Sequence, residues 1–222
     1  MNIEQNVRNL QQHITMACER AGRSPQDVKL VAVSKTMQAS AIEEAFHAGI
    51  RDFGESRVQE AKTKVEQLQT LKPDITWHLV GHLQTNKAKT AAAIFDIIHS
   101  VDSLKLAETL NNCSLKRLPI LIQVNIAAEA TKGGFMVSEV DEAVKQIGKL
   151  SNLEVQGLMS IAPWVENTEE VRPVFRQLRL LRDALGLKHL SMGMSDDFEV
   201  AIEEGATLVR IGRAIFGERS QG

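Results

Sequence analysis

The chain has 222 residues, of which 43% are hydrophobic and 24% are charged, and its formal net charge is −2. A chain of this length buries about 70% of its unfolded surface, which allows one large core. The near-neutral charge excludes a strong electrostatic attraction to nucleic acid or to an anionic membrane. No apolar run reaches the ~18 residues of a membrane span, and residues 1–6 lack a signal-peptide core, so we expect a cytoplasmic protein.

The chain begins with an amphipathic helix and then alternates strands with helices. Apolar residues at steps of three and four predict the first helix over residues 3–21. Eight short apolar or β-branched runs follow as predicted strands: Lys29–Val33, Asp52–Gly54, Trp77–Val80, Ile94–Ser100, Ile120–Ile126, Val155–Ile161, His189–Met194 and Thr207–Ile211. Segments with helical periodicity separate most of them: Ala39–Ala48, Val58–Leu71, Asn86–Ala93, Ser103–Leu110, Val137–Leu150 and residues 171–185.

Strands that alternate with helices predict a parallel sheet buried on both faces. Eight such units predict an α/β fold, a single (β/α)8 TIM-like barrel with an additional N-terminal helix. An open doubly wound sheet is the alternative. No linker, low-complexity segment or internal repeat divides the chain, so residues 1–222 are expected to form one domain.

Cysteine and histidine are too sparse to indicate a metal site. Cys18 and Cys113 lie far apart and form no C-x-x-C motif, so we expect two small buried side chains rather than a disulfide or a zinc cluster. The four-residue spacing of His78 and His82 covers roughly 13 Å on a strand, too far for one metal ion. The sequence shows no partner for the remaining histidines: His13, His47, His99 and His189.

The functional face of a (β/α)8 barrel lies at the carboxyl ends of its strands. Lys35 follows the first strand, where an amine beside a dry core can form an imine; a surface lysine that snorkels out of the strand end is the alternative. After the eighth strand, Gly212 between Arg210 and Arg213 lets backbone amides and a short helix N-terminus approach an anion. An ordinary turn is the alternative there.

The loop after the seventh strand is the third candidate. It begins at Ser191, and Ser195 is predicted to cap the next helix and leave amides exposed. Asp196 and Asp197 favour that helix but would repel a phosphate, so we expect their side chains to point away from a ligand.

Closure of the barrel would place strand 8 beside strand 1, so that Lys35 faces the phosphate-binding loops after strands 7 and 8. An amine beside a phosphate site suits pyridoxal 5′-phosphate (PLP). It also suits an aldolase that acts on a sugar phosphate. His82 follows the third strand and is expected to line the mouth, as a general base or in a structural role.

Five segments resemble the pyridoxal phosphate homeostasis protein family, in the family's order: Leu30–Thr36, Phe53–Glu60, Trp77–Gln84, Leu190–Ser195 and Val209–Gly217. The resemblance implies a PLP fold-type III barrel, similar to the N-terminal domain of alanine racemase, with PLP held as an aldimine on Lys35. It implies that Arg210 lies near the ring nitrogen or the phosphate. It also implies that the amides of Gly212 and Arg213 hold the phosphate, and that Ser191, Met194 and Ser195 complete the pocket.

One position departs from the family pattern. Ser56 stands where the family usually has asparagine. A hydroxyl cannot repeat the two-sided hydrogen bonding of an amide, so the contact beside the cofactor is expected to change.

The resemblance implies a PLP-binding protein that regulates the intracellular PLP level, with little or no catalysis of its own. Its expected partners are PLP and the apo forms of PLP-dependent enzymes, and we expect a monomer. The main alternative is a PLP-dependent amino-acid racemase or decarboxylase, and a cofactor-free aldolase is the third hypothesis. Against the racemase, the chain has no tyrosine to act as the second base. Nor do we expect the separate β-domain of alanine racemase. Arg210 stays protonated, so it cannot give the pyridine nitrogen a proton.

Overall fold

Eight parallel strands close into a barrel in the computed structural model, which describes residues 2–127, 129 and 132–217. Strands β1 to β8 are, in order, Lys29–Val33, Asp52–Glu55, Thr76–Leu79, Ile97–Val101, Leu118–Gln123, Leu153–Met159, His189–Ser191 and Leu208–Ile211. Each strand pairs in parallel with the next, and β8 pairs with β1. The predicted (β/α)8 barrel is confirmed, and the pairing of β8 with β1 excludes an open sheet.

Among the residues that the structure describes, helices connect the strands. Helices α1 to α9 are, in order, Ile3–Arg20, Ala39–His47, Val58–Gln67, Ala88–Ile94, Leu104–Cys113, Val140–Ile147, Arg172–Ala184, Phe198–Glu203 and Arg213–Phe216. Helix α1 precedes the alternation and packs against α2, α8 and α9. The additional N-terminal helix is therefore confirmed. No helix among these residues is both long and apolar enough to cross a membrane.

Helix α1 covers the seam where the barrel closes. Asn2 caps it by accepting a hydrogen bond from the Gln5 amide at 2.9 Å. The Asn6 side chain donates to the carbonyl of Ile215 in α9 at 2.9 Å. The face turned to the barrel is buried at Ile3, Val7, Leu10, Ile14, Ala17 and Cys18.

Apolar side chains form two layers, because alternate residues of a strand point to opposite faces of the sheet. The larger layer lies between the sheet and the helices and includes Ala32 of β1. The smaller layer occupies part of the barrel interior and consists of Val31, Ile97, Leu121, Met159 and Leu208. The interior is thus a packed core, and a ligand site is confined to the ends of the barrel.

Several predicted boundaries are wrong for local reasons. Strand β7 ends at Ser191 rather than Met194, because Gly193 turns the chain with φ 90°. Strand β5 ends at Gln123, where the chain folds back so that the Asn125 amide bonds the carbonyl of Phe135. Cys18 is buried as predicted, whereas Cys113 is only half-buried.

Candidate functional site

Lys35 lies in the turn after β1, and its side chain is half-buried. Strands β1 and β8 pair in the register Val31–Arg210 and Ala32–Ile211, which brings the turn beside the Gly212 loop. A Cβ added to Gly212 would lie 3.1 Å from the carbonyl oxygen of Val33. Because this approach is tighter than side chains usually allow, glycine lets the two loops come together. The predicted neighbourhood of strands 1 and 8 is confirmed.

A buried ion pair lies beneath the Lys35 turn. Lys64 of α3 is 5% exposed, and its Nζ donates to Glu55 Oε1 and to the carbonyl of Ser34, each at 2.7 Å. The Ser34 hydroxyl also donates to Glu55 Oε1 at 2.7 Å. Burial raises the pKa of Glu55, although the hydrogen bonds from Lys64 and Ser34 oppose that shift. The residue before Lys35 is thereby fixed through both its side chain and its carbonyl.

The residue after Lys35 is held by the same helix. Thr36 adopts φ 68°, an uncommon conformation for a β-branched residue. Its amide donates to Glu60 Oε1, which also accepts from Lys64 Nζ at 2.7 Å. Sequence reasoning missed this cluster, although the four-residue spacing of Glu60 and Lys64 was a signal for an ion pair on one helix face.

Arg210 and Ser191 meet inside the barrel. Arg210 is 5% exposed and Ser191 is fully buried, and Arg210 Nη1 donates to Ser191 Oγ at 2.7 Å. Arg210 Nη2 donates to the carbonyl of Ser160, at the end of β6, at 2.9 Å. Burial lowers the pKa of Arg210 to about 10, opposed by the charge of Asp197, so the guanidinium remains protonated at neutral pH.

Two histidines extend this contact across the barrel. His99 Nδ1 lies 2.8 Å from Ser191 Oγ, and His99 Nε2 lies 2.9 Å from His78 Nδ1. His78 Nε2 in turn lies 2.9 Å from Asp52 Oδ1. The sequence shows no partner for His99, whereas the structure gives it two. The two histidines are 21 residues apart, so spacing alone could not pair them, but both occupy the third position of neighbouring strands.

Other histidines also have partners that the sequence did not reveal. His13 Nδ1 lies 2.9 Å from Glu199 Oε1, and His189 Nδ1 lies 3.2 Å from Thr207 Oγ1. These contacts join helices or strands that only the folded barrel brings together.

The loops after β7 and β8 touch each other. The Ala214 amide lies 3.4 Å from Ser195 Oγ, so Ser195 connects the β7 loop to the start of α9. The prediction that Ser195 caps the following helix is wrong: α8 has Asp197 at its N-cap, without a side-chain cap bond. Met194 is 38% exposed at the rim, and its amide donates to Asp197 Oδ1 at 2.6 Å.

The charged side chains of the loops after β7 and β8 bond to groups within those same loops. The Arg213 guanidinium forms an ion pair with Asp196 at the surface, and Asp197 is turned back onto its own loop by its bond to Met194. The Arg213 side chain therefore extends away from the buried core, whereas its backbone amide stands in the first turn of α9, where helical amides lack partners within the helix.

A cavity of about 410 Å³ opens on the other side of the mouth. It is lined by Val80, Gly81, His82, Gln123, Val124, Asn125, Lys132, Gly133 and Ile161. His82 is exposed, as expected of a residue at the mouth, and its Nδ1 lies 3.0 Å from Asp102 Oδ2. Lys132 Nζ donates to Glu129 Oε1 at 2.7 Å and to the Ala162 carbonyl at 3.2 Å. The loop after β5 is thus tied to the end of β6.

Ser56 is half-buried after β2, next to the β3 loop. A Cβ on Gly81 would overlap the backbone of Ser56, at 2.4 Å from its carbonyl oxygen. The two loops therefore touch, which holds Ser56 at the edge of the mouth between the Lys35 turn and His82.

The residues at the mouth fit PLP by their chemistry. An aldehyde requires a primary amine, a ring nitrogen requires a polar partner, and a phosphate requires hydroxyl and amide donors. Lys35 offers the amine, and Arg210 is a protonated, buried guanidinium of which two of five N–H donors are used by Ser191 and Ser160. Ser195 and the amides at Gly212 and Arg213 lie on the two loops that touch.

Comparison with known proteins shows which family this chain resembles. Residues 2–220 match the family model described as "Alanine racemase, N-terminal domain". A protein of Aquifex aeolicus named "Pyridoxal phosphate homeostasis protein" is 46% identical over 99% of both chains. The structure of PipY from Synechococcus elongatus, solved with PLP bound, is 38% identical, with a TM-score of 0.84 over 97% of this chain and 100% of PipY.

A more distant likeness shows the fold alone. Alanine racemase of Corynebacterium glutamicum is 19% identical, with a TM-score of 0.72 over 98% of this chain and 61% of the racemase. Because the identity and coverage of the homeostasis protein are far higher, the chain belongs to the pyridoxal phosphate homeostasis protein family, on the barrel that alanine racemase carries as its N-terminal domain.

Proposed function

We propose that this protein binds PLP through the amine of Lys35, controls the intracellular level of free PLP and passes it to apo-enzymes. The observation that supports the proposal is the pairing of β1 with β8, which brings the half-buried Lys35 turn beside the Gly212 loop, at the end of the strand that carries buried Arg210. The solved PLP complex of PipY supports it, as does the name that the relatives share.

Each residue has a role that follows from its place. PLP supplies an aldehyde carbon that condenses reversibly with a primary amine. The hydrogen bonds that hold Ser34 and Thr36 would orient Lys35 between them. Arg210 would hold the ring nitrogen or the phosphate with its remaining donors. Ser195 and the amides of Gly212 and Arg213 would hold the phosphate. Met194, Ser56 and His82 would border the ligand at the rim.

Carrier function is favoured over turnover by three observations. The sequence contains no tyrosine, so a phenol cannot serve as the second base of a racemase. Arg210 remains protonated, because its pKa is about 10, and cannot protonate a pyridine nitrogen in the way an acidic residue does. The exposed rim, with His82 at 69% side-chain exposure, leaves the site open to solvent and to other proteins.

A transfer experiment tests this assignment. PLP-loaded protein is mixed with an apo-enzyme, and the recovery of enzyme activity is compared with the recovery produced by the free PLP that dilution alone would release. We expect faster recovery with the loaded protein. The same preparation is incubated with a panel of amino acids in deuterium oxide.

The two readouts separate carrier from enzyme. Deuterium entering Cα at rates typical of enzymes, about 1 s⁻¹ or more, would establish a racemase-like activity instead. Recovery no faster than dilution allows would reject direct transfer. Protein that takes up no PLP would reject the whole proposal.

A further inference from the structure

A continuous chain of side-chain hydrogen bonds crosses the barrel interior and ends at Arg210. It runs from Asp52 on β2 through His78 on β3 and His99 on β4 to Ser191 on β7, which contacts Arg210 on β8. The four distances, in that order, are 2.9, 2.9, 2.8 and 2.7 Å. The four groups from His78 to Arg210 are at most 5% exposed, so water cannot replace the three bonds between them without rearrangement.

With His78 neutral, the chemistry of the two ends fixes the direction of every bond between them. Arg210 has only donors, so Ser191 Oγ accepts at that end. Asp52 accepts, because its pKa is lowered: burial opposes this shift, but His78 and Lys29 outweigh it. His78 therefore carries a proton on Nε2 and, when neutral, accepts on Nδ1. His99 then donates from Nε2 and accepts the Ser191 hydroxyl proton on Nδ1.

The opposite direction leaves a buried donor without a partner. If His99 donated from Nδ1, Ser191 Oγ would accept from both neighbours, and its own proton would meet no acceptor among the residues that the structure describes. An unpaired donor at a fully buried serine costs about 1–3 kcal/mol. Burial also lowers the pKa of His99 well below its usual range, assisted by the charge of Arg210, so His99 is neutral.

We propose that His99 is a positioning residue for Arg210. By accepting the Ser191 proton on Nδ1, it turns a lone pair of Ser191 toward the guanidinium and holds Arg210 where a ligand at the mouth meets it. Asp52 and His78 set the tautomer that makes this possible. The inference rests on the proposed function in one respect, namely that Arg210 contacts PLP.

The tautomers can be measured in the cofactor-free wild-type protein. Histidine labelled with ¹⁵N is observed by two-dimensional NMR at pH 7. We expect His99 and His78 each to carry a proton on Nε2 only, with Nδ1 of both acting as a hydrogen-bond acceptor. A proton on His99 Nδ1, alone or together with Nε2, would overturn the proposal, and this measurement requires no variant to fold.

Two substitutions of one residue then separate the two ring nitrogens. In H99N the amide oxygen stands near the Nδ1 position and can still accept from Ser191. In H99Q the amide group stands near the Nε2 position, can still donate to His78 and loses Ser191. The release of PLP to a scavenger is followed by the absorbance of the bound cofactor. We expect H99Q to release PLP about tenfold faster or more, and H99N within about threefold of wild type.

Each result has a definite meaning. Equal rates in wild type and H99Q would overturn the inference, because Arg210 would then be positioned without His99. Equal acceleration in H99N and H99Q would overturn it too, since a loss of packing rather than of the Ser191 contact would explain both. If the wild-type protein binds no PLP, the proposed function fails, while the histidine tautomers still test the hydrogen-bond chain.

Discussion

At the scale of single residues, Arg210 joins the buried hydrogen-bond chain to the mouth of the barrel. Its guanidinium is bonded to Ser191 and to the Ser160 carbonyl, so its orientation is set before a ligand arrives. A charged donor fixed in this way loses little entropy on binding, which favours a strong contact. Arg213, three residues on, extends into solvent and pairs with Asp196.

This difference gives a matched pair of substitutions. Arg210→Gln should weaken PLP binding by roughly 1.5–3 kcal/mol, because hydrogen bonds to a charged group are lost. Arg213→Gln removes an exposed guanidinium but keeps the backbone amide, so its effect should stay below about 1 kcal/mol. Dissociation constants from absorbance titration measure both. Equal weakening in the two variants would contradict the role given to Arg210.

Single residues also show what the sequence could and could not predict. Lys35, Gly212 and Arg210 could be proposed from the sequence, because they lie at or just after the ends of apolar runs, and strand ends carry the function in a barrel. The pairing of His78 with His99 could not, because it depends on the register of two strands, which sets His78 beside Ile97, two residues before His99. The cap assigned to Ser195 was wrong because Asp197 occupies the N-cap, and Ser195 contacts another loop instead.

At the scale of secondary-structure elements, helix α3 supports the Lys35 turn. Lys64 Nζ of α3 donates hydrogen bonds to Glu55 of β2 and to the carbonyl of Ser34. Glu60 of the same helix accepts a hydrogen bond from the amide of Thr36. Because the side chain of Lys64 is 6% exposed, its removal leaves Glu55 buried without its cation. The geometry of the turn therefore depends on side chains of helix α3.

We expect Lys64→Ala to lower the free energy of unfolding by about 3–5 kcal/mol, as when one partner of a buried ion pair is removed. Lys62→Ala, on the exposed face of the same helix with its partner Glu66, should change it by less than about 0.5 kcal/mol. Urea unfolding of cofactor-free protein measures both. A cost for K64A as small as that for K62A would show that the buried pair does not support the turn.

Element boundaries were predictable where local chemistry alone sets them. The observed bounds of β1 are the predicted ones, because its apolar run ends at a polar turn. The predicted helix 137–150 shortened to α6, since its first turn is a 3-10 turn and Gly148 follows its end. Strand β7 was predicted too long because its apolar residues continue into a turn that Gly193 makes with positive φ.

At the scale of the whole molecule, the barrel keeps His99 neutral in its interior. Burial lowers the pKa of His99 well below 6.5, and burial also lowers that of His189. Below about pH 6.5 the unfolded chain binds protons that the folded chain does not, so the free energy of unfolding falls as the pH falls. Stability from this source is present above pH 6.5 and is lost on acidification.

Substitution of His99 isolates its contribution to the pH dependence of the free energy of unfolding. Between pH 6.5 and 5.5, His99→Asn should reduce the pH dependence of the free energy of unfolding by up to ~1.4 kcal/mol per pH unit, which corresponds to one proton. Denaturant unfolding at several pH values measures the slope, and the same substitution at exposed His47 is the control. An unchanged slope in H99N would mean that His99 is protonated inside the folded barrel.

In the proposed function, the Lys35 amine is the group that binds PLP. The direct measurement is borohydride reduction of the PLP-loaded protein, which makes the bond permanent, followed by peptide mapping. We predict the pyridoxyl group on the peptide that contains Lys35, no such label in Lys35→Ala at that peptide, and unchanged labelling of Lys35 in Lys132→Ala. A label found in the wild-type protein on Lys132 or Lys64 instead of Lys35, or on no peptide at all, would contradict the account.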